Sequence, residues 1–497
     1  MINTSYLQKQ IMSSFRSLSA LPEKGKDLFE DALLPLAVVI GLGMGAVLAY
    51  LVANGLWPVA LALLFALPAF VLLHRYPFAA LLIWLLLAPF VVVSGGGPLR
   101  RVYWVIHRAL PPAAIAVIIL SSWLRIHPRR IPKLSLVEAA IVGYVVVSEL
   151  SIVYLNPSVE ATTILLYDRV IVPVCLYFLV RLTSPDEKDL RRLLPVAAFI
   201  LITQSVIGLL SWISPQVLPS FWLDRAGTRT TGSLDDYSVF TSALAFCIVL
   251  LFHSARTLDR TKKRSLLYLA LVLLGGFMIF FSFSRGSWLA GMVMFFGLFW
   301  LYPRTVIRLG LVAVLIITVV LGSGVLDNYL NFASERLYSE QSTESALSRL
   351  PVFYAAYRMF ETKPLLGWGY DNFDRYDRGF QQRVGDLYAP DKDHASHNLY
   401  LSLIAEQGLI GAFLFLAPVG WWLIVTIRVW SRIPATGFWS RKLVVVLWLV
   451  ILFHIVVNNF SNMRIVYGLG MWWLTLGLIA SIVSRYQGEN TPRWQGG

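Results

Sequence analysis

Apolar runs about twenty residues long follow one another along most of this chain, and they restrict its fold more than any other feature. A helix needs about 20 predominantly apolar residues to cross the hydrocarbon core of a bilayer. Division of the chain by that length gives about fourteen candidate spans, which fall at residues 32–53, 56–73, 77–95, 110–124, 135–155, 163–182, 193–213, 237–254, 265–283, 287–302, 305–325, 398–428, 441–459 and 464–484. We therefore predict an all-α polytopic membrane protein with about 12–14 transmembrane helices.

The composition agrees with a chain that lies mostly in lipid. Hydrophobic residues make up 57% of it and charged residues 14%, where soluble domains carry about 25% charged residues. The net charge of +14 would suit nucleic acid, but the basic residues lie in short loops where the positive-inside rule and anionic lipids account for them. We expect contacts with membrane lipids and none with nucleic acid. Cys175 and Cys247 lie inside apolar runs and predict packed core residues, not a disulfide or a metal site.

The basic residues also orient the chain. The first 31 residues carry lysines and arginines and lack the apolar core of a signal peptide near their start, so we expect them to be cytosolic. Most of the other basic clusters then fall in alternate loops on the same side. This orientation predicts a cytosolic segment (1–31), eleven spans (32–325), a periplasmic or extracellular loop domain (326–397), three spans (398–484) and a cytosolic tail (485–497).

Several arginines fall on the predicted outer side, where topology does not explain them. They are Arg100, Arg101, Arg108, Arg225, Arg229, Arg285 and Arg464, and Arg169 falls a turn or two inside the outer end of the sixth span. Guanidinium groups bind phosphate oxygens through two parallel hydrogen bonds. If these side chains converge, they form a site for a lipid-linked phosphate or diphosphate. Taken singly, each is explained by a lipid headgroup.

Two histidines stand where the loop domain meets the twelfth span. His394 and His397 are three residues apart at a predicted helix start, so both could face the same direction. With an unperturbed pKa of about 6.5, either could act as a general base. The alternatives are an interfacial pair that bonds the backbone, or a metal site completed by Asp391 and Asp393, although the spacing fits no specific zinc or calcium pattern.

Glu406 falls two to three turns into the twelfth span, followed by Gly408 and Gly411. A carboxylate at that depth needs a partner, and an outer arginine is the natural one. We expect the glycines to let another helix approach closely. The sequence leaves a structural ion pair and a catalytic role both open.

Within the loop domain, residues 342–361 have helical periodicity. Leu347, Leu350, Tyr354 and Tyr357 form a predicted apolar stripe on one face. Pro351 marks either a kink or a later start.

Six short motifs are similar to those of the O-antigen ligase and polymerase family. They are Arg229-Thr-Thr-Gly232, Ser284-Arg-Gly286, Ser348-Arg-Leu-Pro351, Pro364-Leu-Leu-Gly-Trp-Gly-Tyr370, His397-Asn-Leu-Tyr-Leu401 and Glu406-Gln-Gly-Leu-Ile-Gly411. Together they cover the second half of the chain. Many members carry an Asn-Pro-Asn-like run where this chain has Leu234-Asp-Asp-Tyr237.

The resemblance implies a metal-independent glycosyltransferase with a GT-C-like bundle that works at the outer face of the bacterial inner membrane. Its donor would be a glycan on undecaprenyl diphosphate. The acceptor would be lipid A core in a ligase, another lipid-linked repeat unit in a polymerase, or a protein side chain in related transferases. No cofactor is implied.

The resemblance also suggests roles for single residues. His397 would be the base and Arg285 would bind the diphosphate, with help from Arg229 and Arg225. Arg169 joins the diphosphate set on its depth alone, and His394, Glu406 and Arg349 would support the site. Base and leaving group without a covalent nucleophile imply inversion at the anomeric carbon.

Two other functions stay open. A repeat-unit polymerase would use the same donor as a ligase and differ in its acceptor pocket. A flippase or transporter for lipid-linked glycans would favour symmetric halves, which the sequence does not show.

Overall fold

The computed structural model describes residues 68–91, 102–124, 135–224, 229–258, 261–322, 349–381 and 396–487, with scattered helical positions between 43 and 53. These residues form helices and turns and no β-strand. The helices of the part from Tyr76 onward are α1 (Phe78–Leu87), α2 (Leu110–Trp123), α3 (Leu136–Leu155), α4 (Val159–Leu166), α5 (Val172–Thr183), α6 (Glu187–Ile213), α7 (Tyr237–Thr257), α8 (Lys262–Phe280), α9 (Arg285–Leu301), α10 (Pro303–Gly322), α11 (Leu350–Thr362), α12 (Phe373–Tyr376), α13 (Leu399–Val429), α14 (Arg441–Asn458) and α15 (Val466–Ser484).

The described helices confirm an all-α polytopic membrane protein. Nine unbroken helices among the described residues are long and apolar enough to cross a bilayer, and α9 is a shorter apolar helix. From the fourth predicted span onward, each predicted span overlaps one helix or continuous helical segment. Most of the first and second predicted spans lies outside the described residues.

Two helices form the centre of the bundle. The apolar windows of α7 and α15 are wholly buried, whereas those of α2, α3 and α8 are one-third buried. Small residues let α15 pack closely: a Cβ at Gly470 would lie 2.6 Å from Trp84, and one at Gly477 would lie 3.2 Å from the backbone of Tyr177. Glycine contacts of this kind are the usual means of close helix packing in membranes.

Helix α13 is broken at Gly408, and a turn of the loop domain fills the break. Gly408 has φ 61° and ψ −162° inside an otherwise helical run. The turn supplies hydrogen bonds that replace part of the helical pattern: Trp368 N–H to Ala405 O (3.0 Å), Gly369 N–H to Glu406 O (2.7 Å), Leu409 N–H to Pro364 O (2.8 Å) and Ile410 N–H to Leu365 O (3.2 Å). Backbone groups in lipid must be satisfied in this way.

Two glycines make this docking possible. Gly367 has φ +66°, and a Cβ there would lie 2.3 Å from the carbonyl carbon of Glu406. A Cβ at Gly408 would lie 2.4 Å from the carbonyl carbon of Leu365. The sequence predicted a close approach at Gly408, but by a helix; the structure corrects this, because a turn lies there.

Helix α11 begins at Leu350, with Pro351 in its first turn; residues 342–348 of the predicted helix lie outside the described residues. Its buried face is Pro351, Ala355, Ala356 and Met359. The predicted stripe is therefore not the buried face, since Leu350 and Tyr357 are 43% and 52% exposed; Leu347, its first member, lies outside the described residues. Alanines allow this helix to pack against Ala405 of α13 and Phe373, which larger side chains would hold apart.

Candidate functional site

Four helix N-termini lie at one end of the bundle. Contacts tie three of them together. Thr241 Oγ1, in the second turn of α7, lies 2.8 Å from Ser287 Oγ in the first turn of α9, and Asn398, the N-cap of α13, donates through Nδ2 to Asn459 O, just after α14, at 3.2 Å. A Cβ at Gly286 would lie 2.7 Å from Phe460 Cβ, which places the start of α9 beside residue 460. The fourth is the start of α11, where Arg349 is the N-cap residue.

Two arginines, Arg229 and Arg349, lie near Tyr237, the first residue of α7, and Arg285 lies within electrostatic range of Arg349. The guanidinium carbon of Arg229 lies 4.1 Å from the centre of the Tyr237 ring. Partial burial lowers the pKa of Arg349, the positive charges of Arg229 and Arg285 lower it further, and Tyr237 opposes this. Arg229 and Arg285 therefore both lie within electrostatic range of Arg349, and the three are hereafter called the arginine triad. Helix N-termini add partial positive charge, so the region suits an anion.

His397 lies just before the N-cap of α13 and is half-buried. Its neighbour Asn398 fixes it: Asn398 Oδ1 accepts the N–H groups of Tyr400 and Leu401 at 2.9 and 3.0 Å, and its Nδ2 holds Asn459. Residue 460 lies against the start of α9. The Asn459–Phe460 turn therefore connects the segment that carries His397 with the helix that carries Arg285.

Backbone strain accumulates at this end of the bundle. Asp235, Phe283, Asp371 and His397 are four of the five described non-glycine residues with positive φ, at 58°, 50°, 59° and 46°. Such conformations cost about 1–3 kcal/mol each and persist where surrounding structure enforces them, often at functional sites. Asp235 comes two residues before Tyr237, and Phe283 comes two residues before Arg285.

Glu406 of α13 binds the loop domain through its carboxylate. Its Oε2 lies 2.5 Å from Arg464 Nη1, and the two side chains are 2% and 8% exposed. Oε2 also accepts the N–H of Asp371 at 3.1 Å, and Oε1 accepts that of Phe373 at 3.3 Å. The partner predicted for Glu406, an outer arginine, is present, and these bonds favour the structural interpretation.

A polar cavity of about 240 Å³ lies beside the Glu406–Arg464 pair. Its walls are formed by Arg169, Asp371, Asp374, Glu406, Asn462, Arg464 and Ile465. Arg169 Nη1 lies 2.7 Å from Asp371 Oδ1. Arg169 thus belongs to this cavity's set of contacts, whereas the sequence grouped it with Arg229 and Arg285. Arg169 lies in a π-helical turn, Tyr167–Ile171. Turns of this kind often occur at functional sites.

Other predicted residues divide into two groups. Arg108, one of the outer arginines, pairs with Asp168 at 2.7 Å. Arg225, His394, Arg100, Arg101, Asp391 and Asp393 lie outside the described residues. In the part of the chain that the structure describes, no three His, Cys, Asp or Glu side chains lie close enough together to hold a metal ion.

Sequence reasoning missed Tyr237, Asn459 and Asp371. Tyr237 follows Asp236, whose side chain caps α7 by accepting the N–H groups of Ser238 and Val239 at 2.7 and 2.9 Å. An aspartate before an apolar run is a helix-start signal, so the position of Tyr237 was accessible. Asn459 acts through its backbone carbonyl group, and no feature of the sequence indicates that contact.

Comparison with known proteins identifies one segment. Residues 269–416 match the family model described as O-antigen ligase. No curated protein matches the chain in a sequence search. The matched segment contains Arg285, Arg349, His397 and Glu406 together with the turn that docks into α13. The match of residues 269–416 to this family model confirms the resemblance to the O-antigen ligase family.

Proposed function

We propose that this membrane protein transfers a glycan from polyprenyl diphosphate to an acceptor hydroxyl at the outer face of the bacterial inner membrane. The O-antigen ligase domain supports a ligase-like function for the chain. Both termini are cytosolic in this proposal, and the arginine triad faces the periplasm or the cell exterior.

The arginine triad is the observation that carries the donor assignment. Three neighbouring guanidinium groups beside helix N-termini form a positively charged region that attracts anions. A diphosphate, with several oxygens for bidentate hydrogen bonds, matches this charge. Arg225 is assigned to the same group.

The chemistry needs only two contributions from the protein. The arginine triad stabilises negative charge as the diphosphate leaves the anomeric carbon. His397 accepts the proton of the attacking hydroxyl. A single displacement inverts the anomeric centre and requires neither a metal nor a nucleotide. His394 supports His397 in this scheme, and Glu406 holds the loop domain in place.

A polymerase would carry out the same reaction on a second lipid-linked repeat unit. We assign the ligase-like reaction first, because the matching family model is described as O-antigen ligase. Lipid A core is then the expected acceptor.

The test is acceptor-dependent release of polyprenyl diphosphate. Purified protein in liposomes receives an undecaprenyl-diphosphate oligosaccharide with and without lipid A core. A transferase releases the carrier and extends the acceptor, whereas a flippase leaves the donor intact on both leaflets. Arg285→Ala should abolish release, and Arg304→Ala, in the first turn of α10, should not. Intact donor with every acceptor would refute the proposal.

A further inference from the structure

The polar cavity differs in charge from the arginine triad. Its five ionisable residues are Arg169, Arg464, Asp371, Asp374 and Glu406, two cationic and three acidic. Two of the acids are already paired with the two arginines. A cavity with opposite charges in near balance does not attract phosphate, but its donors and acceptors suit a neutral group rich in hydroxyls.

The volume of the cavity indicates a ligand larger than water. One water molecule requires roughly 10–15 Å³ on the same measure, far less than about 240 Å³. Asn462 Oδ1, on the cavity wall, is buried and makes no hydrogen bond with the residues that the structure describes. A buried acceptor of this kind is expected to have a partner, and a ligand hydroxyl would supply it.

The backbone of Asp371 is held in a strained conformation at the cavity wall. Its φ is 59°, its N–H is bound by Glu406, and one carboxylate oxygen is bound by Arg169. Asp374 lies three residues further on, lines the cavity and is exposed to solvent. Partial desolvation and the charges of Asp371 and Asp377 raise its pKa. Strain enforced by neighbours is a feature of ligand sites.

Hydrogen bonds connect the cavity to His397. Asn462 Nδ2 donates to Ser402 Oγ at 3.2 Å, and Ser402 is hydrogen-bonded to Ser396, the neighbour of His397. The arginine triad is reached from His397 through different residues, Asn459 and Phe460. An in-line displacement places the acceptor on the face of the sugar away from the leaving diphosphate, so a second pocket near the base is required.

We propose that the polar cavity is the acceptor-sugar subsite, in which Asp371, Asp374 and Asn462 accept hydrogen bonds from the hydroxyls of a neutral glycan and Arg169 orients Asp371. The identification of the bound sugar as the acceptor rests on the proposed function. The binding of neutral sugar at the cavity stands on the cavity's own geometry.

The experiment measures binding to the full chain in detergent by thermal shift. One probe is the oligosaccharide released by mild acid from the surface glycan of the source cell, and the other is inorganic diphosphate. We expect the oligosaccharide to stabilise the wild type, and Asp374→Asn to raise its apparent Kd about tenfold or more, since a charge-assisted hydrogen bond is lost. Diphosphate stabilisation should be unchanged in that variant.

Two controls separate this proposal from the proposed function. Glu361→Gln replaces an exposed acid of α11 that pairs with exposed Arg358 and should alter neither response. Arg349→Ala should remove the diphosphate response and keep the oligosaccharide response. No oligosaccharide response in the wild type, or an undiminished one in Asp374→Asn, would overturn the cavity assignment. A normal oligosaccharide response without glycan transfer would instead refute the proposed function and leave a sugar-binding site.

Discussion

The carboxylate of Glu406 lies 2.5 Å from the guanidinium of Arg464, and both side chains are almost fully buried. The pair connects α13 with the segment before α15, and the carboxylate also holds the backbone at Asp371 and Phe373. One side chain therefore fixes the wall of the polar cavity and, through α13, the helix start beside His397.

Removal of one member of this pair should strongly destabilise the protein. Glu406→Gln leaves Arg464 as a buried charge without its partner, which costs about 3–5 kcal/mol. Unfolding in detergent followed by circular dichroism measures the change. The matched control is Glu361→Gln, whose partner Arg358 is exposed, and it should cost less than about 1 kcal/mol. Equal stabilities for the two variants would contradict the assigned role of Glu406.

The break in α13 gives a second stability prediction. Gly408→Ala forces a Cβ into the backbone of Leu365 at positive φ, so we expect it to lower the unfolding free energy by more than about 1–2 kcal/mol. Gly420 lies in the same helix with open space around its Cβ position, and Gly420→Ala should be neutral or slightly stabilising. Similar melting temperatures for both variants would show that the turn does not dock at Gly408.

Arg349 should contribute to donor binding. Arg349→Ala removes a charge-assisted contact to the diphosphate, and we expect the KM for the undecaprenyl-diphosphate donor to rise about 10–100-fold. Arg349→Lys should be intermediate, because lysine keeps the charge and loses the bidentate geometry. Arg358→Ala, on the exposed side of the same helix, is the control and should leave the KM unchanged. A KM unaffected by Arg349→Ala would remove this residue from the site.

The proposed orientation can be tested with single cysteines in a variant that lacks Cys175 and Cys247. Gly379→Cys and Ala435→Cys lie in exposed turns at opposite ends of the predicted topology. A membrane-impermeant maleimide added to cells with a permeabilised outer envelope should label residue 379 and leave residue 435 unlabelled until the inner membrane is opened. The reverse pattern would place the arginine triad in the cytosol.

Much of the fold could be predicted from the sequence, because apolar length alone defines a membrane helix. The partner of Glu406 was also predictable, since a buried acid among outer arginines has few alternatives. The buried face of α11 was not: the periodicity of its larger apolar residues was correct, but Ala355 and Ala356 pack and Tyr357 does not. Close packing depends on the shape of the neighbour, which periodicity does not contain.

The candidate site was predictable in part. Motifs indicated Arg229, Arg285, Arg349 and His397, and the structure places Arg229 and Arg285 within electrostatic range of Arg349. Arg169 was assigned on depth, yet a π-helical turn directs it to Asp371. Depth along a span gives no information about which side of the helix a residue faces, so the polar cavity could not be derived from the sequence.

The most direct test of the account is the rate of glycan transfer by His397→Ala at saturating donor. Loss of the general base should lower kcat by about 10²–10⁴-fold, while the donor KM stays near the wild-type value because the arginine triad is intact. His397→Gln should behave in the same way and melt at the wild-type temperature. Wild-type kcat in folded His397→Ala would contradict the assignment of the base and, with it, the proposed reaction.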